Sequence, residues 1–163
     1  MATRTPEAIE AFCLNAQDHW NRQGGRRSQV REVLTRIIGA QQLPFSAEQL
    51  LAEARREDRG ISQASVYRTL AGLVEAGLLN AFTGPGQLRC YSVVDAGRGG
   101  VSNIVCTDCE QIVPMQDDCL PLREGFLARQ LGFTPSKMSL RIEASCEELK
   151  RTGACARRRT GER

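Results

Sequence analysis

The fold is decided by the segment Ile61–Leu70, ISQASVYRTL. Ser62 is placed to cap a helix, whose apolar positions recur at helical spacing until Gly77 ends it. The period then changes to alternation, which predicts two strands, 78–82 and 88–93, joined by a turn of glycine and proline. A helix followed at once by a hairpin indicates the second half of a winged helix-turn-helix.

Three further helices are predicted upstream of this segment. Thr5 precedes a proline at the first helical position, Ser28 can cap a second helix, and Ser46 opens a third with a capping box. Helices followed by a hairpin give the element order of a winged helix. We therefore expect an N-terminal winged helix-turn-helix domain over residues 1–94.

The second half of the chain begins after the polar, glycine-rich run 95–100, which is the predicted linker. Strand patterns flank a Cys-x-x-Cys turn, a helix with one apolar face follows, and residues 138–144 alternate as a half-buried strand. We expect an α+β protein whose second domain is a small α/β domain over 101–150. Residues 151–163 are expected to form a basic C-terminal tail, of which the last part, 157–163, is expected to be disordered.

The composition is that of a globular protein, with 41% hydrophobic and 25% charged residues and a net charge of +3. Aromatic residues make up only 5%, which argues against a stacking surface for single-stranded nucleic acid. No apolar run approaches the roughly 20 residues that cross a bilayer, and no signal peptide is visible. We therefore expect a cytoplasmic protein with no membrane partner. Thiols stay reduced there, so seven cysteines suggest metal or redox chemistry before disulfides.

Polar side chains cluster near the start of the helix that Ser62 caps. Ser65, Tyr67, Arg68 and Thr69 are predicted to lie on or beside its outward face, where a recognition helix contacts bases and phosphates. Arginine can hold guanine with two hydrogen bonds, tyrosine can contact a thymine methyl or a phosphate, and hydroxyls can donate to phosphates. Periodicity alone favours the simpler interpretation, a solvated helix face that carries an incidental arginine.

Cys106 and Cys109 have the spacing of a zinc knuckle, in which two thiolates reach one tetrahedral ion from a tight turn. A redox pair of the thioredoxin type is disfavoured, because no helix is predicted to open at Cys109. The other cysteines carry weaker signals. Cys13 is expected in the core and Cys90 in a packed strand. Cys119, in a predicted loop, is the candidate reactive thiol.

Several motifs in the same order resemble those of the ferric uptake regulator family. ISQASVYRTL, continued by Glu75–Leu78, resembles the recognition-helix signature, and Phe45–Leu50, FSAEQL, resembles the segment before it. CTDC at Cys106–Cys109 and LGFT at Leu131–Thr134 fall where the family places its first cysteine pair and its last helix end. The resemblance extends from about Arg27 to Cys146, which is most of the chain.

This resemblance implies a transcription regulator, more often a repressor than an activator, that binds a palindromic operator in double-stranded DNA as a homodimer. Tyr67 and Arg68 would touch the major groove. A basic residue before the second helix, Arg26 or Arg27, would approach the minor groove, although the family's run around this point is altered. No acid–base pair, nucleophile triad or phosphate loop is visible, so no enzyme is expected. The alternative is a zinc-dependent or thiol-redox-sensing protein-interaction module derived from the same scaffold.

The family completes its cysteine site with a second pair, of which this chain keeps only half. Cys146 is present, but Leu149 stands where its partner would be. Cys155 follows after eight intervening residues, and a short helical turn with a bend at Gly153 could bring it back. We expect a structural zinc ion held by Cys106, Cys109, Cys146 and Cys155. The alternatives are three cysteines completed by Cys119 or water, or an oxidised first pair.

The ligands with which the family senses iron or manganese are missing. Such sites need histidines and carboxylates, and the single histidine, His19, is expected at a surface or an interface. The family's ligand positions fall at or near Pro44, Thr83, 100–103, Pro114 and Met138. None of these side chains can replace the ligand it displaces. We therefore expect no classical iron-sensing site.

Overall fold

The computed structural model describes residues 4–24, 27–94, 101–115, 119–135 and 139–156. Two compact units are present, one formed by Met1–Thr83 with Leu88–Asp95 and the other by Gly84–Gln87 with Ala96–Arg163. The predicted linker 95–100 and the end of the tail, 157–163, lie outside the described residues. The domain limits therefore remain a prediction. Within the described ranges, no helix combines the length and the hydropathy needed to cross a bilayer.

The first unit is built on four helices, α1 (Pro6–Arg22), α2 (Gln29–Ala40), α3 (Ala47–Glu57) and α4 (Gln63–Glu75). The predicted caps are confirmed, since each helix begins with a side-chain oxygen that accepts a backbone N–H of its first turn. These caps are Thr5, Ser28, Ser46 and Ser62. A cap of this kind stabilises a helix by about 1 kcal/mol, so the four starts are fixed locally.

A three-stranded antiparallel sheet completes the first unit, in the order β1-β3-β2. Strands β2 (Leu79–Thr83) and β3 (Arg89–Val93) form the predicted hairpin, with a 3₁₀ turn at Pro85–Gln87 between them. Strand β1 (Phe45–Ser46) was not predicted, because two residues are too few to display a period. The hairpin directly after α4 confirms the winged-helix architecture.

The core of the first unit lies between the helices and holds side chains from all four of them. Fully or nearly fully buried members are Phe12, Ala16, Leu34, Ile38, Leu50, Val66, Leu70 and Leu73. Burial of a large aliphatic side chain contributes about 1.5–3 kcal/mol, so this core sets the rotation of each helix about its axis. In α4, the inward stripe is formed by the buried Val66, Leu70 and Leu73, and it determines which residues of the helix face outward.

The second unit contains a three-stranded mixed sheet in the order β5-β4-β6. Strand β4 (Val101–Cys106) pairs antiparallel with β5 (Ile112–Met115) and parallel with β6 (Ser139–Ala144). The parallel pair needs a crossover connection, which contains α5 (Cys119–Gln130). A short helix, α6 (Glu147–Thr152), follows β6. The predicted α+β class is confirmed.

The structure differs from the sequence predictions at two cysteines and in the C-terminal tail. Cys119 begins α5 and is exposed, whereas a loop was predicted there. Cys13 on α1 is half-buried, whereas it was expected in the core. His19 is also half-buried, and its expected position at a surface or an interface stays a prediction. Helix α6 runs past residue 150, and Cys155 follows it closely. Residues 151–156 are therefore part of the second unit, whereas they were predicted to lie in a tail beyond it.

Candidate functional site

The outward face of α4 carries the residues predicted to read DNA. Val66 and Leu70 are buried, so the intervening Tyr67 and Arg68 project from the opposite side, and Tyr67 is 42% exposed. The Nε of exposed Arg68 donates to the carbonyl oxygen of Ala64 at 3.2 Å, one turn earlier. Ser65 is half-buried, and its hydroxyl lies 2.9 Å from that of the capping Ser62.

Thr69 does not share this face. Its side chain is only 5% exposed and lies on the inward stripe with Val66, Leu70 and Leu73. Position 69 is three residues after Val66 and one before Leu70, so helical geometry turns it toward the core. The prediction that Thr69 lies on or beside the outward face is wrong, and a buried threonine cannot reach a phosphate.

Tyr67 has a partner that sequence reasoning missed. Its hydroxyl donates to Glu48 Oε1 at 3.1 Å, and Glu48 lies in the first turn of α3. The Glu48 backbone N–H and then the Ser46 hydroxyl hold the pKa of this carboxyl below its ordinary value, so it is an ionised acceptor at neutral pH. Nineteen residues separate the pair, and no local pattern in the sequence connects them.

Gln63 is a second residue that sequence reasoning passed over. It is the first residue of α4 and is exposed. Glutamine can read adenine with two hydrogen bonds in the major groove. Its place directly after the capping Ser62 was visible in the sequence and could have identified it as a candidate.

The basic residues expected before α2 are described only in part. Arg26 lies outside the described residues. Arg27 is exposed, and its Nε contacts Glu32 Oε1 at 2.5 Å. Glu32 lies in the first turn of α2, so this ion pair holds the arginine beside the start of that helix. An exposed pair of this kind contributes only about 0.2–1 kcal/mol, so Arg27 can exchange this carboxylate for another anion.

The structure brings together the four cysteines proposed as zinc ligands. The sulfurs of Cys106, Cys109 and Cys146 lie within 4.8 Å of one another. Cys155 Sγ lies 3.7 Å from the sulfurs of both Cys109 and Cys146. Four sulfurs at about 2.3 Å from a tetrahedral zinc ion stand about 3.8 Å apart, so these two separations fit a four-thiolate site.

Two similar turns present the sulfurs. The backbone N–H of Cys109 donates to Cys106 Sγ at 3.4 Å, and the N–H of Leu149 donates to Cys146 Sγ at the same distance. Leu149, which replaces the missing cysteine, thus keeps the turn without supplying a sulfur. Helix α6 is capped by Gly153, whose φ of +72° directs the chain back toward the cluster. Cys155 follows this reversal.

Burial and hydrogen bonding act in opposite directions on the first cysteine pair. Burial raises the pKa of Cys109 to about 12. Burial also opposes ionisation of Cys106, but the backbone N–H groups of Cys109 and Asp108 outweigh it and lower the pKa of Cys106. Cys106 therefore ionises more readily than an ordinary cysteine, whereas Cys109 keeps its proton until a cation displaces it.

An oxygen ligand also stands near the cluster. A carboxylate oxygen of Glu148 lies within 4.8 Å of the sulfurs of Cys146 and Cys155. Glu148 Oε2 accepts the backbone N–H of Ala156 at 3.2 Å, so it helps to hold the chain that follows Cys155. Zinc binds thiolate readily, and this favours Cys155 over Glu148 as the fourth ligand.

Other groupings of three or more candidate ligands do not occur in the part of the chain that the structure describes. The residues named above at or near the family's sensing-ligand positions lie in separate elements of the fold. Pro44 precedes β1, Thr83 ends β2, Asn103 is buried in β4 and Pro114 lies in β5. Met138 is outside the described residues.

The chain matches known proteins over most of its length. A family model described as the ferric uptake regulator family matches residues 22–143. A ferric uptake regulation protein of Brucella abortus biovar 1 (strain 9-941) is 29% identical over 131 residues, which cover 79% of this chain and 89% of that protein. A ferric uptake regulation protein of Shigella flexneri is 25% identical over 103 residues, 63% of this chain and 68% of that protein.

Solved structures of such regulators share the fold. The Helicobacter pylori ferric uptake regulator, described with three functional metal-binding sites, superposes with a TM-score of 0.75 and 18% identity over 94% of this chain and all of that one. A zinc uptake regulator in complex with zinc and DNA superposes with a TM-score of 0.61 and 19% identity, over 93% of this chain and all of that one. At these identities the likeness establishes the architecture alone.

Proposed function

This chain belongs to the ferric uptake regulator family, and from that premise we propose that it is a sequence-specific regulator of transcription, acting as a repressor. It binds a palindromic operator in double-stranded DNA as a homodimer, and a structural zinc ion holds its second unit together. It works in the cytoplasm, where its cysteines stay reduced. The role requires no catalysis.

The observation that carries the proposal is the outward face of α4. Tyr67 and Arg68 stand exposed in the first two turns of the helix that precedes the wing, where recognition helices contact bases. Arg68 is proposed to hold a guanine, and Tyr67 a thymine methyl or a phosphate. Ser65 and the exposed Gln63 stand close enough to the helix start to contact DNA as well.

Arg27 is proposed to approach the minor groove beside this helix, with Arg26 as the other candidate. Arg27 is exposed and is held by an exchangeable ion pair with Glu32. A phosphate or a narrow minor groove offers an arginine a stronger negative potential than one solvated carboxylate does.

The proposed homodimer is supported by apolar side chains of the second unit that a single chain leaves in water. They lie on α5 and directly after it, and between 48% and 75% of each is exposed: Leu122, Phe126, Leu127, Leu131 and Phe133. A second copy of the chain, related to the first by a two-fold axis, would cover such a patch. Two recognition helices related by that axis would require a palindromic operator.

The zinc ion is proposed to be structural. Its ligands would be Cys106, Cys109, Cys146 and Cys155, whose sulfurs have the separations described above. Four thiolates leave no position for water or substrate, so such a site stabilises the fold and performs no chemistry. The iron-sensing site of the family is proposed to be lost, because proline, threonine and asparagine stand at its positions.

The proposal is tested by selecting, from fragmented genomic DNA, the fragments that the protein binds. The selection is done with and without a chelator and a reductant. We expect recovery of sequences that share a palindrome, and loss of that enrichment in Arg68→Ala. The Arg56→Ala variant, which changes an exposed arginine of α3, is the matched control. Recovery of no common sequence by the zinc-loaded, reduced protein would contradict DNA recognition and favour a protein-interaction module.

A further inference from the structure

The hydroxyl of Tyr67 uses its hydrogen within the protein itself. It donates to Glu48 Oε1 at 3.1 Å, and a tyrosine hydroxyl has a single hydrogen to donate, beside lone pairs that accept. The Glu48 carboxylate is ionised and can only accept hydrogen bonds. Both side chains are exposed, and Tyr67 stands beside Arg68 on the outward face of α4. The pair therefore presents oxygen acceptors to a molecule that binds this face.

The backbone that carries Glu48 is held in place by two sets of contacts. Ser46, the cap of α3, and Gln49 exchange the two hydrogen bonds of the capping box, at 2.9 and 3.2 Å. Ser46 also pairs with Cys90 of β3, so the start of α3 is joined to the sheet of the first unit. The Tyr67 hydroxyl is thus oriented before DNA binds, and a contact through it costs little additional side-chain entropy.

The acceptor character of this pair limits the DNA groups that it can bind. Phosphate oxygens, and the N7, O6 and O4 atoms on the base edges, are themselves acceptors. A phosphate at this place would also meet the negative charge of Glu48. Among the polar groups of the major groove, only the exocyclic amino groups, N6 of adenine and N4 of cytosine, offer a hydrogen. An amino group is therefore the polar DNA group that fits the pair.

We propose that Tyr67, positioned by Glu48, reads an exocyclic amino group of an adenine or a cytosine in the operator; this contact rests on the proposed function. The amino N–H donates to the Tyr67 oxygen, and the Tyr67 O–H donates to Glu48. A hydroxyl that donates to a carboxylate is polarised and becomes a stronger acceptor. Thymine O4 or guanine O6 in the same place would set lone pairs against lone pairs, so the pair rejects these atoms. The Tyr67 ring remains available to a thymine methyl, whereas a hydrogen bond from its hydroxyl to a phosphate is excluded.

Base analogues that lack one amino group test this contact on the operator recovered by the genomic selection. In one series purine replaces a single adenine, and in the other pyrimidin-2-one replaces a single cytosine. We expect the full-length, zinc-loaded protein to lose about tenfold in affinity at one position of each half-site through this contact. The series in which that position occurs identifies the base. Tyr67→Phe should bind the natural operator about tenfold more weakly and should not distinguish it from that analogue.

Variants of Glu48 separate positioning of Tyr67 from a general effect of charge. The readout is the ratio of the affinities for the natural operator and for the analogue. Glu48→Ala releases the Tyr67 hydroxyl, which can then rotate and donate, so the ratio should fall toward unity. Glu48→Gln keeps an oxygen that accepts the Tyr67 O–H and should retain most of the ratio. Glu53→Ala removes the same charge from another exposed position of α3 and should retain all of it. Thermal melts check that each variant folds.

Three results would overturn the contact. One is an equal response of the wild type and Tyr67→Phe to every analogue, and another is a ratio that Glu48→Ala leaves unchanged. The third is a single neutral methylphosphonate that weakens the wild type but not Tyr67→Phe, since Tyr67 would then contact a phosphate. A protein that selects no operator refutes the proposed function and this contact together. A protein that binds its operator without sensing an amino group through Tyr67 refutes the contact alone.

Discussion

The carboxylate of Asp108 accepts a hydrogen bond from the backbone N–H of Cys146, with 2.7 Å between Oδ2 and the nitrogen. Asp108 belongs to the turn that presents Cys106 and Cys109, and Cys146 caps α6. This one bond therefore joins the two segments that carry the sulfurs. Residues that hold metal ligands by hydrogen bonds without binding the metal themselves orient those ligands. Their loss typically weakens metal binding 10- to 100-fold.

Removal of the Asp108 carboxylate should loosen the proposed zinc site. We expect Asp108→Ala to lose zinc to a competing chelator at a concentration at least about tenfold lower than the wild type does. Asp108→Asn keeps a carbonyl oxygen that can accept the Cys146 N–H, so it should resemble the wild type more closely. Equal zinc retention by all three proteins, measured colorimetrically, would show that the bond does not position the ligands.

Cys155 should be required for tight zinc binding. Cys155→Ser replaces the sulfur that lies 3.7 Å from those of Cys109 and Cys146, so we expect substoichiometric zinc after purification without added metal. Because structural zinc contributes folding free energy, a lower melting temperature should accompany the loss. Cys119→Ser alters an exposed cysteine of α5 and should keep one zinc per chain. Full zinc content in Cys155→Ser would point to Glu148 or water as the fourth ligand.

Zinc binding should weaken as the pH falls. Burial raises the pKa of Cys109 to about 12 without metal, so this thiol is protonated throughout the neutral range and zinc must displace its proton. Each displaced proton reduces the apparent zinc affinity about tenfold for every unit by which the pH drops. Calorimetry of the metal-free protein in two buffers with different ionisation enthalpies counts the released protons. Zinc binding without proton release would contradict thiolate ligation by Cys109.

Arg68 should contribute to both affinity and base preference. Arg68→Ala is expected to weaken operator binding by about 1–3 kcal/mol and to relax the preference at one base pair. Equilibrium titration of the selected operator and its single-base variants measures both effects. Arg56→Ala provides the comparison, since it removes the same charge from α3. An unchanged operator affinity in Arg68→Ala would remove this residue from the interface.

Manganese and ferrous iron should leave DNA affinity unchanged. Such ions favour histidine and carboxylate ligands, whereas the resemblance to the family places its ligand positions at or near Pro44, Thr83, 100–103 and Pro114. Operator titrations of the zinc-loaded protein with and without each ion should overlay. A tenfold or larger gain in affinity would reveal a sensing site that these positions do not explain.

Local signals in the sequence were sufficient for most of the fold. A capping hydroxyl acts on its own first turn, so Thr5, Ser28, Ser46 and Ser62 mark helix starts whatever surrounds them. The Cys-x-x-Cys spacing is equally local. These features depend on residues three or four apart, which a sequence displays directly.

Features that depend on contacts between residues far apart in the sequence were harder to predict. Thr69 is a polar residue but is buried, because its position on α4 turns it inward, so its residue type alone gave the wrong prediction. Strand β1 exists because Phe45 pairs with Tyr91, far along the chain. The Tyr67–Glu48 bond likewise joins two helices. The return of Cys155 could be suggested by Gly153, but its distance from Cys109 could not.

The late place of Cys155 in the chain has a consequence for biosynthesis. A ribosome delivers Cys106 and Cys109 first, then Cys146, and only after α6 the sulfur that lies beside two of them. A nascent chain can thus hold a metal ion at most loosely until this last proposed ligand has emerged, and domains generally fold as units once their segments are available. Synthesis past residue 155 would therefore act as a checkpoint, because a polypeptide interrupted before it would lack one of the four proposed zinc ligands.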